Sequence, residues 1–246
     1  MLPLIKGRYT ARLAATPQDI ARAQTLRHHC FIANRGLVTT AEDRDAFDDL
    51  GQHVLVEDTR FATLVCCFRL THFVSGADIA ASYSAQFYDL ARLSFYPPPM
   101  AELGRFCMHP NHPDPDILRL AWGALTRIVD AAGIQMLFGC TSFQGADPAR
   151  HQDAFAWLKT AQLAPAQWRP AQKSPHAYPF DQALNTTPKP ILTTLPPLLR
   201  TYLAMGGWVS DHAVIDAALN TMHVFTGLEI AAIPPNRVRL LRALAT

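Results

Sequence analysis

The apolar residues of the chain follow the period of strands and the period of helices in turn. A run of alternating residues predicts a first strand over Tyr9 to Leu13. The pair Thr16-Pro17 is typical of a helix start, with the threonine hydroxyl as the N-cap. The helix that follows is predicted by apolar residues at spacings of three or four, namely Ile20, Ala23, Leu26 and Cys30.

Strands and helices continue to alternate further along the chain. The pattern predicts four more strands, over residues 54–57, 62–70, 102–108 and 134–140. The first two are separated by a tight turn, so we expect an antiparallel pair. One helix is predicted between an N-cap at Asp114 and a C-terminal glycine at Gly133, and another over about residues 150–162. This order of elements predicts a mixed α/β layered fold.

The composition of the sequence changes after about residue 185. Four prolines fall between Pro188 and Pro197, and a short helix is predicted over Leu198 to Met205. A last helix, basic and apolar, is predicted after Pro234-Pro235. We therefore expect a core over residues 1–185 and an appendage over residues 186–246, which packs on the core and is too small to guarantee independent folding.

Composition and charge narrow the class of protein. Of 246 residues, 49% are hydrophobic and 17% are charged, and this charged fraction, below the roughly 25% of soluble domains, argues against intrinsic disorder. No apolar run reaches the roughly 18 residues that a membrane span needs. A formal charge of +2 gives no sign of nucleic-acid binding. Five cysteines, an odd number without a C-x-x-C pair, predict free thiols. We expect a cytoplasmic protein.

The richest polar segment is an acidic loop over residues 42–49, which contains five acids and one arginine. A solvated loop is the simplest interpretation. The alternative is that Phe47 anchors the loop so that Asp45 and Asp48 face a cationic substrate. The loop lacks the glycine and the terminal glutamate of an EF-hand, which argues against calcium.

A glutamate and an arginine share the predicted strand Glu102 to Met108. Strict alternation would place Glu102 and Gly104 on one face and Arg105 on the other. Both charged side chains need partners if they are buried, so they either stabilise the fold or take part in function. A glycine within a strand fits the close approach of a ligand or of another backbone.

Other motifs are absent or weak. The chain has no G-x-S-x-G elbow, P-loop or G-x-G-x-x-G motif. The pairs His28/His29 and His109/His112 lack a third ligand at metal-like spacing. We therefore expect structural or surface histidines and no metal site.

Four features in order resemble the acyl-homoserine-lactone synthases, which are GNAT-fold enzymes that use acyl-carrier-protein thioesters. These features are Arg27 with Phe31, then Asp45-x-Phe47-Asp48, then Arg69, then Glu102-x-x-Arg105. Over about residues 8–232 the chain is more similar still to a sister family, the L-ornithine Nα-acyltransferases. The similar stretches are Glu102 to Arg105, Cys140 to Gly145, Leu195 to Tyr202 and Gly207 to Leu219. The resemblance implies a GNAT-like fold with a mixed, mostly antiparallel central sheet flanked by helices, followed by a C-terminal appendage.

The resemblance implies transfer of a long 3-hydroxyacyl group to the α-amine of ornithine, which forms a lyso-ornithine lipid. In this interpretation Glu102 is the base, and the backbone amides of Phe106, Cys107 and Met108 bind the oxyanion. No covalent acyl-enzyme is needed, so the Cys107 thiol is not expected to be a nucleophile. Arg105 is expected to be catalytic together with Glu102. The remaining residues that we expect to bind substrates are Arg27, Phe31, Asp45, Phe47, Asp48, Arg69, Ser142 and Phe143.

These residues divide by the group that each would bind. We expect Asp45 and Asp48 to hold the ammonium groups of ornithine, and Arg105, with Arg27 or Arg69, to hold its carboxylate. Ser142 and Phe143 would lie along the channel for the pantetheine arm and the acyl chain. Purely structural ion pairs are the alternative for each of the charged residues.

The loop where GNAT enzymes carry a glycine-rich pyrophosphate-binding motif here contains His109-Pro110-Asn111-His112-Pro113-Asp114-Pro115. Proline has no amide to donate, so coenzyme A is a poor fit as the donor. We expect acyl-phosphopantetheine on an acyl carrier protein instead, with no tightly bound cofactor. The last helix, with its arginines at 237, 239 and 242, is expected to be a packing helix. Its alternatives are contact with a membrane surface or with the acidic carrier.

Three other functions stay open at this point. The same reaction can use glutamine or another amino acid. An acyl-homoserine-lactone synthase would share most of the residues above but gives no reason for the appendage. A non-catalytic GNAT relative that only binds acyl groups is the third.

Overall fold

The computed structural model of the chain describes residues 3–37, 42–97, 99–182 and 194–245. The helices are α1 (Pro17–Phe31), α2 (Pro115–Ala132), α3 (Gln152–Ala161), α4 (Pro197–Ala204) and α5 (Pro235–Leu244). The strands are β1 (Leu4–Lys6), β2 (Tyr9–Leu13), β3 (Gln52–Asp58), β4 (Thr63–Phe73), β5 (Tyr88–Asp89), β6 (Met100–Met108), β7 (Met136–Gln144), β8 (Ala171–Gln172), β9 (Ala177–Pro179), β10 (Trp208–Asp216) and β11 (Thr221–Glu229).

The predicted helix ends are confirmed by their caps. Thr16 Oγ1 accepts a hydrogen bond from the Asp19 amide at 3.2 Å, and Asp114 Oδ1 accepts one from the Asp116 amide at 2.9 Å. Both caps satisfy backbone donors that a helix leaves unpaired at its start. Gly133 ends α2 in the left-handed conformation, with φ at 63°, which glycine adopts without strain.

The chain divides into two compact units. The first contains Met1–His72, Glu102–Ile134 and Pro235–Thr246, and the second contains Phe73–Ala101 and Gln135–Pro234. The boundary that the sequence predicts near residue 185 lies outside the described residues. The segment after it contributes β10 and β11 to the second unit and α5 to the first. The division into residues 1–185 and 186–246 therefore stays a prediction.

In the first unit five strands lie in the order β1-β2-β3-β4-β6, between helices on opposite faces. The predicted antiparallel pair is confirmed, with Val54 of β3 opposite Phe68 of β4. Cys67 packs toward α1, where its thiol lies 3.8 Å from the Ala23 carbonyl oxygen. The adjacent Phe68 stacks on Phe106, which in turn packs on Trp122 of α2. The alternation of side chains along β4 thus places α1 and α2 on the two faces of the sheet.

In the second unit β7, β11, β10 and β9 lie side by side. β7 and β11 are antiparallel, with Gln144 opposite Thr221 at one end and Met136 opposite Glu229 at the other. The strand predicted over 134–140 is confirmed as part of β7. One apolar cluster contains Phe155 of α3 and Leu199 of α4, and a second contains Tyr88 from the segment that precedes β6.

Two further findings concern the membrane and the cysteines. Among the described residues, no helix combines the length and the apolar composition that crossing a membrane requires. The prediction of free thiols is confirmed for Cys30, Cys66, Cys67, Cys107 and Cys140.

Candidate active site

The acidic loop is folded into a defined turn. Residues Ala46–Asp48 form a short 3-10 helix, which Asp45 caps by accepting a hydrogen bond from the Phe47 amide at 2.9 Å. The Asp48 carboxylate accepts one in return from the Asp45 amide at 3.3 Å, so the two aspartates form a capping box. The turn holds both side chains in fixed positions, which favours the alternative interpretation of this loop over that of a solvated surface.

The side chain of Arg27, on helix α1, forms hydrogen bonds with this loop. Its side chain is only 1% exposed. Nη1 donates to Asp48 Oδ1 at 2.6 Å and Nε donates to Asp43 Oδ2 at 2.9 Å. Hydrogen bonds between charged groups are about twice as strong as neutral ones, and salt screens a buried ion pair less than an exposed one. Arg27 therefore joins the helix to the loop through two carboxylates.

Two strand arginines complete the arrangement. Arg69 of β4 donates to Asp48 and to both carboxylate oxygens of Asp45, and its guanidinium lies 5.6 Å from the centre of the Phe47 ring. Arg105 of β6 donates through Nη2 to Asp45 Oδ2 at 3.0 Å. We call this set of residues the ion-pair cluster: Arg27, Asp43, Asp45, Asp48, Arg69 and Arg105.

The cluster keeps Asp48 ionised although it is buried. Burial alone would raise the pKa of this carboxyl, but hydrogen bonds from Arg27 and Gln24 and the charges of Arg27 and Arg69 hold the pKa well below its usual value. The adjacent His53, whose Nε2 lies 3.0 Å from the Asp48 carbonyl oxygen, has its pKa lowered chiefly by burial. His53 is thus kept neutral beside a cluster of fixed charges.

The backbone of β6 is irregular at the point where it meets the cluster. Arg105 has a φ of 52°, in the left-handed region that is strained for a non-glycine residue. A Cβ on Gly104 would lie 3.9 Å from Arg69 Nη2, so Gly104 also faces the cluster that Arg105 joins. Strict alternation along the strand, as predicted from the sequence, is therefore wrong here, because the positive φ turns two consecutive residues toward the same charges.

The other residues of β6 are placed by packing. Glu102 is buried, with 4% of its surface exposed. Phe106 stacks between Phe68 and Trp122, on the face that α2 covers. Cys107 lies 3.5 Å from the Cys67 sulfur, and hydrogen bonding with the thiols of Cys30 and Cys67, together with burial, raises the pKa of Cys107 well above its usual value. A thiol with a raised pKa is a poor nucleophile, which agrees with the expectation for Cys107.

The predicted aromatic and channel residues are distributed between the units. Phe47 lies under Arg69 within the cluster, whereas Phe31, at the end of α1, lies under the guanidinium of Arg35, at 5.4 Å. Ser142 and Phe143 belong to β7 of the second unit. Ser142 is exposed, and Phe143 is 1% exposed in an apolar cluster with Phe155. Their assignment to a pantetheine and acyl channel stays a prediction.

Three residues of the site were not predicted from the sequence. Gln24 donates to Asp48 Oδ2 at 2.9 Å, and it lies three residues before Arg27 on the same face of α1. Asp43 accepts from Arg27, and His53 packs beside Asp48. The helical spacing of Gln24 and Arg27 could have predicted that Gln24 belongs to the site. The positions of Asp43 and His53 could not be predicted, because they depend on the loop conformation. In the described residues, no group of three or more His, Cys, Asp or Glu side chains has the geometry to hold a metal ion.

Known proteins match this chain over most of its length, including the residues of the candidate site. The profile of the GNAT acetyltransferase domain family matches residues 26–123. The L-ornithine Nα-acyltransferase of Rhodobacter capsulatus is 32% identical over 235 residues, which are 91% of this chain and 91% of that protein. The L-ornithine Nα-acyltransferase of Brucella abortus is 32% identical over 246 residues, which cover 92% of this chain and 86% of that protein.

A solved structure supports the same fold. FeeM, an N-acyl amino acid synthase from uncultured soil microbes, superposes with a TM-score of 0.53 at 12% identity, and the match covers 92% of this chain and 94% of FeeM. Together with the domain profile, this confirms the GNAT-like fold class, a mixed sheet flanked by helices.

Proposed function

We propose that this chain, which belongs to the family of L-ornithine Nα-acyltransferases, transfers a long 3-hydroxyacyl group from a carrier-protein thioester to the α-amine of L-ornithine. The chain is an N-acyltransferase of the GNAT fold. The observation that carries the proposal is the ion-pair cluster, because it gathers Arg27, Asp45, Asp48, Arg69 and Arg105 at the strand that holds Glu102. A cluster of paired charges fits a substrate with two ammonium groups and a carboxylate.

The reaction needs a neutral amine and a polarised thioester carbonyl. Glu102 accepts a proton from the α-ammonium group, directly or through one water molecule. The amine nitrogen then attacks the carbonyl carbon and the C–N bond forms. The C–S bond breaks as the nitrogen loses its second proton to the leaving sulfur, and the pantetheine thiol is released. The backbone amides of Phe106, Cys107 and Met108 stabilise the oxyanion of the tetrahedral intermediate. The positive φ of Arg105 interrupts the regular strand directly before these amides, which supports this assignment.

The charged side chains differ in how accessible they are to a substrate. Each of the two aspartates accepts from two arginines, but the Asp45 side chain is 19% exposed, whereas that of Asp48 is 2% exposed. We assign ammonium binding to Asp45, and to Asp48 the role of a positioning residue that acts through Arg27 and Arg69. Arg105, whose side chain is 16% exposed, takes the carboxylate. These roles refine the prediction that treated Asp45 and Asp48 alike.

Substitution of Asp45 by asparagine tests the ammonium assignment. We expect the KM for ornithine to rise about 10-fold or more, because a hydrogen bond between charged groups contributes about 1.5–3 kcal/mol. The KM for the acyl donor should change less than twofold. Steady-state kinetics with each substrate varied in turn measure both values. The matched control is Asp49→Asn, an exposed neighbour in the same loop, and equal effects of Asp45→Asn on both substrates would contradict the assignment.

The donor is proposed to be a carrier-protein thioester rather than coenzyme A. Pro110, Pro113 and Pro115 remove amide donors from the loop that precedes α2. The Asp114 carboxylate occupies the Asp116 amide at the start of this helix, where a phosphate would otherwise bind. Both features disfavour the backbone cradle that a pyrophosphate requires.

The contacts of helix α5 favour a role in packing over contact with a membrane surface or with a carrier protein. The backbone carbonyl of Leu244 approaches Gly123 of α2, and Arg242 donates to Asp130 at 3.1 Å. Arg237 and Arg239 are exposed on the outer side of α5, and Leu240 is 59% exposed. Contact with an acidic carrier or with an anionic membrane surface would use this outer side.

Mass spectrometry of products tests the function directly. The protein is incubated with 3-hydroxyacyl carrier protein or 3-hydroxyacyl-coenzyme A and a panel of amino acids that includes ornithine, glutamine and lysine. We expect 3-hydroxyacyl-ornithine as the main product, formed faster from the carrier protein. Acyl-glutamine would indicate the alternative amino acid. Acyl binding without product would indicate a non-catalytic relative.

A further inference from the structure

Three cysteine thiols from separate elements meet in the first unit. Cys30 lies in the last turn of α1, Cys67 on β4 and Cys107 on β6. The sulfur atoms of Cys67 and Cys107 are 3.5 Å apart, and the Cys107 thiol also forms a hydrogen bond with that of Cys30. The spacing of the cysteines along the sequence gives no sign of a pair, whereas the fold brings Cys107 into contact with two other thiols. We call Cys30, Cys67 and Cys107 the thiol cluster.

The members of the thiol cluster differ in their access to solvent. Apolar side chains that include Leu26 and Leu55 pack around the cluster. Cys67 is 1% exposed and Cys107 is 6% exposed. Cys30 is only partly buried, because it lies at the end of its helix. Cys30 is therefore the residue of the cluster that a small solute reaches first.

The thiols of Cys30 and Cys107 also differ in acidity. The hydrogen bond from Cys107 lowers the pKa of Cys30, and the positive charge of Arg35 lowers it further, although burial opposes both. While it is protonated, Cys30 donates to the Met108 carbonyl oxygen at 3.2 Å. The pKa of Cys107 is raised well above its usual value, by hydrogen bonds with Cys30 and Cys67 and by burial. Since the thiolate is the reactive form of cysteine, Cys30 is the thiol that an oxidant attacks.

We propose that Cys30 and Cys107 form a redox switch, in which hydrogen peroxide joins the two sulfur atoms in a disulfide bond that inactivates the protein. The Cys30 thiolate attacks a peroxide oxygen, the O–O bond breaks, and Cys30 becomes a sulfenic acid while hydroxide leaves and takes up a proton. The Cys107 sulfur then attacks the Cys30 sulfur and the S–O bond breaks. The Cys107 proton passes to the departing oxygen, which leaves as water. In total, two thiols lose two electrons and one peroxide is reduced to two water molecules.

Contact between the two sulfurs favours the second step. A thiol with a raised pKa is a poor nucleophile toward a dissolved reagent, but Cys107 is already in contact with the sulfur that it must attack. Cys67 and Cys107 are equally close to each other, yet both are buried and neither has a lowered pKa. The first oxidation step therefore distinguishes the Cys30–Cys107 pair from the Cys67–Cys107 pair.

The disulfide would distort the strand that carries the proposed site. A disulfide holds its sulfurs about 2.05 Å apart, at least about 1 Å closer than two hydrogen-bonded thiols lie. Its formation would pull Cys107 of β6 toward α1. A displacement of about 1 Å can lower a catalytic rate about 10²-fold. This effect on activity rests on the oxyanion site of the proposed function, to which the Cys107 amide belongs, whereas formation of the disulfide does not.

Mass spectrometry and kinetics of the full-length protein test the switch. The reduced protein is treated with hydrogen peroxide, and the excess is removed with catalase. We expect the intact mass to fall by two hydrogen atoms, and unreduced peptide mapping to join the peptides of Cys30 and Cys107. The kcat should fall at least about 10-fold and recover with dithiothreitol. Cys30→Ser should keep the native kcat, before and after peroxide, and should form no disulfide although Cys67 and Cys107 remain adjacent.

Two further variants make the result specific. Cys140→Ser replaces the other partly buried cysteine, which lies in the second unit, and should be oxidised and inactivated like the native protein. Cys107→Ser cannot form the disulfide, so dimedone should label the sulfenic acid at Cys30.

Three results would overturn the proposal. The first is a native protein that forms no disulfide, and the second is a disulfide that joins any pair other than Cys30 and Cys107. The third is a Cys30–Cys107 disulfide that leaves kcat unchanged. A reduced protein that forms no product would instead contradict the proposed function, and the intact mass and the peptide map would still decide whether the disulfide forms.

Discussion

Replacement of Glu102 by glutamine is expected to lower kcat about 10²- to 10⁴-fold, the range that a positioned general base contributes. The substitution preserves the size of the side chain but removes its ability to accept a proton. Glu102 lies on β6, the strand that also holds Gly104 and Arg105 at the ion-pair cluster. Because its side chain is buried, bulk water does not easily take over its role as the base. The rate of thiol release from the acyl donor measures kcat, and KM values for both substrates should change much less.

Two comparisons make this result specific. Glu42→Gln removes an exposed carboxyl from the loop of the ion-pair cluster and should leave kcat within about twofold of the native value. Circular dichroism and thermal unfolding show whether Glu102→Gln folds normally. A normally folded Glu102→Gln protein that retains more than about a tenth of the native kcat would show that another group takes the proton.

Replacement of Arg27 by methionine is expected to lower the free energy of unfolding by about 3–5 kcal/mol, the usual cost of removing one partner of a buried ion pair. Arg27 is 1% exposed and binds Asp43 and Asp48, so the substitution leaves the buried Asp48 carboxylate with fewer donors. Urea denaturation at pH 7 measures the change. Arg22→Met is the matched control, because Arg22 also pairs with a carboxylate, Glu57, but its side chain is 38% exposed. An exposed pair contributes about 1 kcal/mol or less.

The stability difference between the native protein and Arg27→Met should depend on pH. The folded-state pKa of Asp48 is held below its ordinary value of 3.8, so ionised Asp48 contributes stability that is fully present above that value. This contribution is lost as the pH falls below 3.8 toward the folded-state pKa. The difference between the two proteins should therefore be largest near pH 7 and shrink below about pH 4. An Arg27→Met protein that is destabilised no more than Arg22→Met would show that the ion-pair cluster does not stabilise the fold.

Local signals in the sequence predicted most of the elements because their causes are local. Thr16, Asp114 and Gly133 mark helix ends through hydrogen bonds and φ angles within a few residues. The strands missed by the sequence pattern include β10 and β11. β10 contains buried Ser210 and His212, which the apolar pattern of a strand does not anticipate. Burial of Ser210 is compatible with a strand because its hydroxyl accepts a hydrogen bond from the Phe225 amide of β11 at 3.1 Å, a contact between residues distant in sequence.

The site shows the same division between local and distant causes. The candidate residues of the site, and their order along the chain, could be named from the family resemblance of the acidic loop and the Glu102-x-x-Arg105 strand. Which carboxylate pairs with which arginine was not visible, because α1, the loop, β4 and β6 meet only when the sheet forms. The positive φ of Arg105 was also hidden, since strict alternation is the default for a strand.

The sequence by itself determined the alternation of helices and strands and the ends of the helices. These features depend on hydrophobic periodicity and on hydrogen bonds between near neighbours. Only the tertiary structure decided that Asp48 is buried between Arg27 and Arg69, that Gly104 and Arg105 face the same charges, and that the Cys107 thiol meets those of Cys30 and Cys67. Contacts between residues far apart in sequence require closure of long loops, and their geometry is set by packing of the whole sheet and its helices.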